Sequence, residues 1–96
     1  MGLKVRWLRK ALLNLDEEAA FIAAENPVAA RLVVARILEA VAVLAEQPAL
    51  GRPGRVLGTR ELVVARTRYL IPYRIRDGQV EILRVFHTSR RPPQRW

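Results

Sequence analysis

YLIPYRIRDGQVEILRVF, residues 69–86, decides the fold. Two alternating β-type runs flank Asp77-Gly78, and a two-residue Asp-Gly link is a strong hairpin signal, because both positions tolerate the left-handed backbone of a tight turn. That turn sets the pairing: Ile75 faces Val80, Arg74 faces Glu81 and Tyr73 faces Ile82. Unbroken, this register puts Tyr69, Ile71, Tyr73, Ile75, Val80, Ile82 and Phe86 on one face. Leu70, Pro72, Arg74, Arg76, Glu81, Leu83, Val85 and His87 fall on the other. Arg74 opposite Glu81 is a cross-strand ion pair contributing at most about 1 kcal/mol. Pro72 has no N–H and belongs where no ladder bond is required. Arg84 lands among the apolar set, so it sits beyond the helical cover or against a buried acid.

Working outward, ELVVART (61–67) reads as a further strand ahead of the hairpin. QPALGRPGRVLGT (47–59), with two prolines and three glycines, reads as an irregular loop. Upstream lie two helical periods. Residues 8–25 align Leu8, Ala11, Leu12, Leu15, Ala19, Ile22 and Ala23 on one side, and Asp16, Glu17 and Glu18 read as a solvated face. Asn26-Pro27 is a helix start, with asparagine as N-cap and proline at the first helical position. The second helix then runs from Pro27 to about Glu46, with Ala30, Val33, Val34, Ile37, Val41, Leu44 and Ala45 inward. LKVRW (3–7) is a short first strand. The order β-α-α-β-β-β gives an α+β domain over residues 1–96: a helical hairpin packed on one face of a small, mostly antiparallel sheet. Pro92-Pro93 halt the sheet, so residues 92–96 are expected to form a flexible tail.

Composition narrows the chemistry. With no cysteine and a single histidine, neither a disulfide framework nor a Cys or His-cluster metal site is available, and no cofactor motif occurs. Charged residues throughout positions 1–25 argue against a signal peptide or a membrane span, so a cytoplasmic protein is expected. The net charge of +8 is segregated: six bases and six acids cancel in residues 1–48, whereas residues 49–96 hold eleven arginines and three acids. Such a distribution suits a polyanionic partner, either nucleic acid or an acidic protein. His87, at the end of the last strand, can serve as general acid or base, and neighbouring arginines can hold a phosphate. Equally, the imidazole can cap a strand end. Ser89 lacks a nearby carboxylate, which weighs against a serine triad.

The loop LAEQPALGRPGR, the stretch TRELVVARTRYLIPYRI and the run GQVEILRVFHTSR resemble the RelE/ParE superfamily of toxins from bacterial type II toxin–antitoxin systems, over nearly the whole chain. The resemblance implies a growth-inhibiting toxin neutralised by a cognate antitoxin, whose acidic or amphipathic segment folds onto it in a hetero-oligomer. Leu13, Phe21, Val28, Leu32 and Val43, apolar yet outside the inward stripes, are the candidate antitoxin contacts. The superfamily implies two possible targets. ParE-like members poison DNA gyrase; RelE-like members cut mRNA on the ribosome. In the second case His87 would be the acid or base, with Arg68 and Arg90 on phosphate. In the first, Arg60, Arg66, Arg74, Arg76 and Arg91 are the candidate target contacts. Leu70 stands where RelE-like enzymes place an arginine, and no lysine follows Lys10, which favours the ParE-like reading. A nucleic-acid-binding module without toxicity is the third possibility.

Overall fold

The computed structural model describes residues 2–96; Met1, counted in the expected domain, lies outside the described residues. Strand β1 (Lys4–Trp7) leads into α1 (Arg9–Ala23) and α2 (Pro27–Val43). Then come β2 (Arg52–Pro53), β3 (Arg60–Val63), β4 (Tyr69–Arg76), β5 (Gln79–Ile82) and β6 (Phe86–His87). The strands form one sheet in the order β1-β5-β4-β3-β2, with β6 pairing β4 beyond the end of β5. Among the described residues only the β1–β5 pair is parallel.

Local chemistry accounts for the boundaries. Asn26 caps α2 by accepting the Ala29 N–H at 3.0 Å, and Pro27 occupies the position where a missing N–H costs nothing. At the hairpin, Asp77 and Gly78 both have positive φ, 52° and 71°, matching the right-handed twist of the strands they join. The expected register is present: Tyr73↔Ile82, Arg74↔Glu81 and Ile75↔Val80.

The two helices cover one sheet face. Ala11, Leu15, Ile37, Val41 and Leu44 meet Leu62, Tyr69, Ile71, Tyr73, Val80 and Ile82 in a continuous core. Tyr73 is wholly buried, and its hydroxyl is satisfied twice, donating to the Pro48 carbonyl at 2.7 Å and accepting the Gly51 N–H at 2.8 Å. Gly51 is required by this approach, since a Cβ there would lie 2.6 Å from Tyr73 Cε1. Otherwise the expected limits shorten. The helices end at Ala23 and Val43, and β3 stops at Val63 rather than 67. Residues 64–69 instead close a turn in which Arg66 has φ 61°.

One departure changes the site. Tyr73 pairs with Ile82, but Leu70 pairs with Phe86 and Tyr69 with His87. Between these pairs the β4 side holds Ile71 and Pro72, whereas the other side holds Leu83, Arg84 and Val85, one residue more. This is a β-bulge. Its cause is Pro72. The Pro72 carbonyl accepts the Leu83 N–H at 2.9 Å, so the edge it shows to that strand also carries its nitrogen, which has no hydrogen to give. The ladder lapses there, and the Val85 N–H turns to Asn14 Oδ1 at 3.3 Å.

The extra residue inverts the faces beyond it. Val85 joins the helix-side core and His87 sits beside Tyr69, while Phe86 moves to the outer face; the unbroken register had placed all three oppositely. Arg84 Nε donates to the main-chain oxygen of Trp96 at 2.8 Å rather than to an acidic side chain, and the Trp96 ring meets Phe86 edge-on at 5.2 Å.

Candidate functional site

Because the bulge turns His87 toward the helices, it faces a cleft of about 470 Å³ between α1, α2, the 64–69 turn and the segment after β6. Phe21, Ile22 and Val33 give this cleft an apolar wall. Arg66, Arg68, Arg90, His87 and Ser89 supply its polar side.

Ser89 holds the histidine in place. Its backbone N–H donates to His87 Nδ1 at 3.1 Å, and its Oγ lies 2.7 Å from the same nitrogen. A neutral imidazole that accepts the Ser89 N–H at Nδ1 carries its ring hydrogen on Nε2. Tyr69 packs edge-to-face on the ring at 5.2 Å and 88°.

Beneath this pair lies a buried carboxylate. Glu18 accepts the Tyr69 hydroxyl at 2.8 Å through Oε1, and Oε2 lies 3.2 Å from Arg90 NH2. Burial, together with the bond to Glu18, pushes the Tyr69 hydroxyl well above the ordinary tyrosine range. Glu18 is thus corrected from solvated face to buried partner. The signal was present, because Leu15, Glu18 and Ile22 recur at helical spacing on the inward side. A carboxylate is admitted there because both its oxygens are bonded.

The catalytic candidates His87, Arg68 and Arg90 therefore line one cleft, joined by Arg66 from the target-contact set. The remaining target candidates are dispersed. Arg60 NH1 holds the carbonyls of Ala49 (3.3 Å) and Gly51 (2.8 Å), fastening the loop over Tyr73. Arg74 and Arg76 lie on the outer sheet face, and Arg91 is exposed in the tail. Leu13, Phe21, Val28, Leu32 and Val43 are all exposed, from 41% at Val43 to 79% at Phe21. Phe21 belongs to the cleft wall. A separate groove of about 510 Å³, floored by Ala19, Ala23, Ala30 and Val34, runs between the helices.

Two glutamates are buried on the outer face: Glu81, whose pairing with Arg74 the hairpin register predicted, and Glu61, which the sequence reading missed. Glu81 lies between Arg74 Nε (2.7 Å) and Arg6 NH1 (3.6 Å). Glu61 accepts the Arg55 backbone N–H at 3.0 Å, Arg55 Nε at 3.0 Å and NH2 at 3.1 Å, and Arg52 NH2 at 3.3 Å. Burial pushes the Glu61 carboxyl up, but the bonds from Arg55 and then Arg52 outweigh it and hold it below the usual range. The hydrogen bond from Arg74 lowers Glu81 likewise.

The helical hairpin on a mixed sheet is the architecture of solved toxins of the ParE and RelE class. Residues 5–92 match the family described as ParE toxin of type II toxin-antitoxin system, parDE. The chain is 55% identical over 91 residues to "Putative toxin Y4kP" of Sinorhizobium fredii, covering 95% of this chain and 94% of that protein. It is 37% identical over 87 residues to toxin RelE2 of Caulobacter vibrioides, covering 91% and 97%. Among solved structures it superposes on a chain of the chromosomal ParDE system from P. aeruginosa with TM-score 0.82, 30% identity and coverage of 88% and 95%. A chain of the RelBE2 toxin–antitoxin complex from Mycobacterium tuberculosis gives 0.65, 28%, 91% and 99%. The protein belongs to the ParE toxin family of type II toxin–antitoxin systems. No helix among the described residues is long and apolar enough to cross a membrane.

Proposed function

We propose that this toxin arrests growth by binding DNA gyrase, as ParE-like proteins do, and that a cognate antitoxin releases the arrest by laying an acidic, amphipathic segment over the exposed apolar residues of the helical hairpin. The observation that carries the preference for a binder is the state of the cleft. His87 Nδ1 is occupied by Ser89, leaving Nε2–H as a donor, and Arg90 is held by Glu18. A ribonuclease needs a free lone pair to take a proton from the attacking hydroxyl, and this cleft presents donors. The better superposition on the ParDE chain than on the RelBE2 chain points the same way.

A second reading, ribosome-dependent cleavage of mRNA, draws on the convergence of His87, Arg66, Arg68 and Arg90 in one cleft. Two assays separate the readings: stabilised gyrase–DNA cleavage complexes with purified protein, and primer extension on mRNA from arrested cells. The gyrase reading expects cleavage complexes and unbroken transcripts. Discrete mRNA cuts that vanish in His87→Ala would overturn it.

A further inference from the structure

We propose that the outer face of the sheet, away from the helices and the cleft, binds the phosphodiester backbone of nucleic acid. The registers align its charges. Lys4 and Arg76 both pair with Gln79, and Arg6 and Arg74 both pair with Glu81, so two parallel rows cross β1, β5 and β4. Glu61 opposes Pro72 and lies on the same face as Arg74, bringing Arg52 and Arg55 into the array. Six cations thus accompany three carboxylates, the buried Glu61 and Glu81 and the exposed Asp77 at 3.9 Å from Arg76, and no helix covers them.

The two glutamates are buried while their arginines are not. Side-chain exposure is 2% at Glu61 and 9% at Glu81, against 36–64% for Arg6, Arg52, Arg55 and Arg74. Each glutamate pins one edge of its guanidiniums and leaves other N–H groups toward solvent. That is pre-organisation for an external anion, since part of the ordering entropy of each side chain is already spent. Successive rows are two residues apart along the strands, roughly 6.6–6.8 Å, close to the step between phosphates in an extended nucleic-acid strand. An acidic amphipathic protein segment would need apolar seats between the charges. Here the large exposed hydrophobics are Val63 on β3 and Leu57 in the loop that carries Arg55, neither of them between the charged rows of β1, β5 and β4, and the others lie chiefly on the helices.

The proposal is independent of the gyrase reading, because it is tested on the purified chain without gyrase. Fluorescence anisotropy with a short labelled DNA duplex, a single-stranded RNA of equal length and a polyglutamate peptide is followed from about 50 to 200 mM salt. Lys4→Glu/Arg76→Glu is compared with Arg31→Glu/Arg36→Glu, an equal charge change on α2. Neither Lys4 nor Arg76 holds a buried carboxylate, so the outer-face variant retains both arginine–glutamate clusters. The outer-face variant should bind nucleic acid about tenfold more weakly, with a salt slope shallower by about 1.8 for two lost phosphate contacts on duplex, and the α2 variant should change far less. Tighter binding of duplex or of single strand assigns the source as DNA or RNA, and either supports the proposal. Equal losses in both variants, polyglutamate binding as tight as nucleic acid, or no binding at the lowest salt would overturn it.

Discussion

Replacing Glu61 by glutamine keeps the shape of a side chain that is 2% exposed and removes its charge. Four contacts change at once, three from Arg55 and one from Arg52. The Arg55 backbone N–H is the costly one. It loses a charged acceptor in a part-buried setting, a bond contributing about 1.5–3 kcal/mol. The guanidiniums, 41% and 58% exposed, can turn to water, so each pairing adds no more than a surface ion pair, about 0–1 kcal/mol. The sum is about 1.5–5 kcal/mol, which for a domain of this size lowers Tm by about 6–40 °C. The pH dependence comes from the depressed carboxyl. Its folded pKa lies below the unfolded value of about 4.3, so the stabilisation is complete above that value and is lost as pH falls through the folded pKa. Urea titrations of wild type and Glu61→Gln should differ by the full amount at pH 7 and converge toward pH 3. A difference below about 0.5 kcal/mol at pH 7, or one unchanged at pH 3, would refute the reasoning.

Other perturbations address the core, the cleft and the antitoxin face. Gly51→Ala pushes a methyl into the Tyr73 ring and should destabilise by about 1–3 kcal/mol in the same titration, because Tyr73 has no free space to yield. Tyr69→Phe leaves Glu18 short of one donor and should cost about 1–3 kcal/mol, visible as a fall in Tm. If the toxin acts by binding, His87→Ala should still arrest growth on induction, measured as colony counts within about threefold of wild type; a loss of about a hundredfold would speak for proton transfer by the imidazole. Val28→Glu with Leu32→Glu should leave toxicity in place and weaken capture by a co-expressed antitoxin at least about tenfold in a pull-down titration, since both side chains are exposed, apolar and outside the cleft.

Much of this architecture was legible because its determinants are local. Asp77-Gly78 fixes the hairpin register through its own backbone preferences, and Asn26-Pro27 starts α2 through a cap three residues long. The ion partners were less legible because they depend on which strands become neighbours. Arg6 and Arg74 share Glu81 only because β1 docks parallel to β5, and Arg55 reaches Glu61 only through the fold of the loop between β2 and β3. Net charge located the basic half of the chain but not the buried acids that organise it.

The histidine shows how a local clue fails to propagate. Pro72 and Arg84 were each visible as misfits in an otherwise regular hairpin, one without a donor and one charged among apolar positions. Both have the same cause. A strand that cannot donate at Pro72 must lapse opposite it, and a bulge of one residue is the least disruptive lapse that lets pairing resume at Leu70 and Phe86. Once that residue is added, Arg84 leaves the apolar set and Val85 replaces it in the core. His87, three residues further, must then point toward the helices. The cleft, its Arg90–Glu18–Tyr69 link and the separation of His87 from the arginines of the outer face all descend from one missing amide hydrogen in the middle of β4.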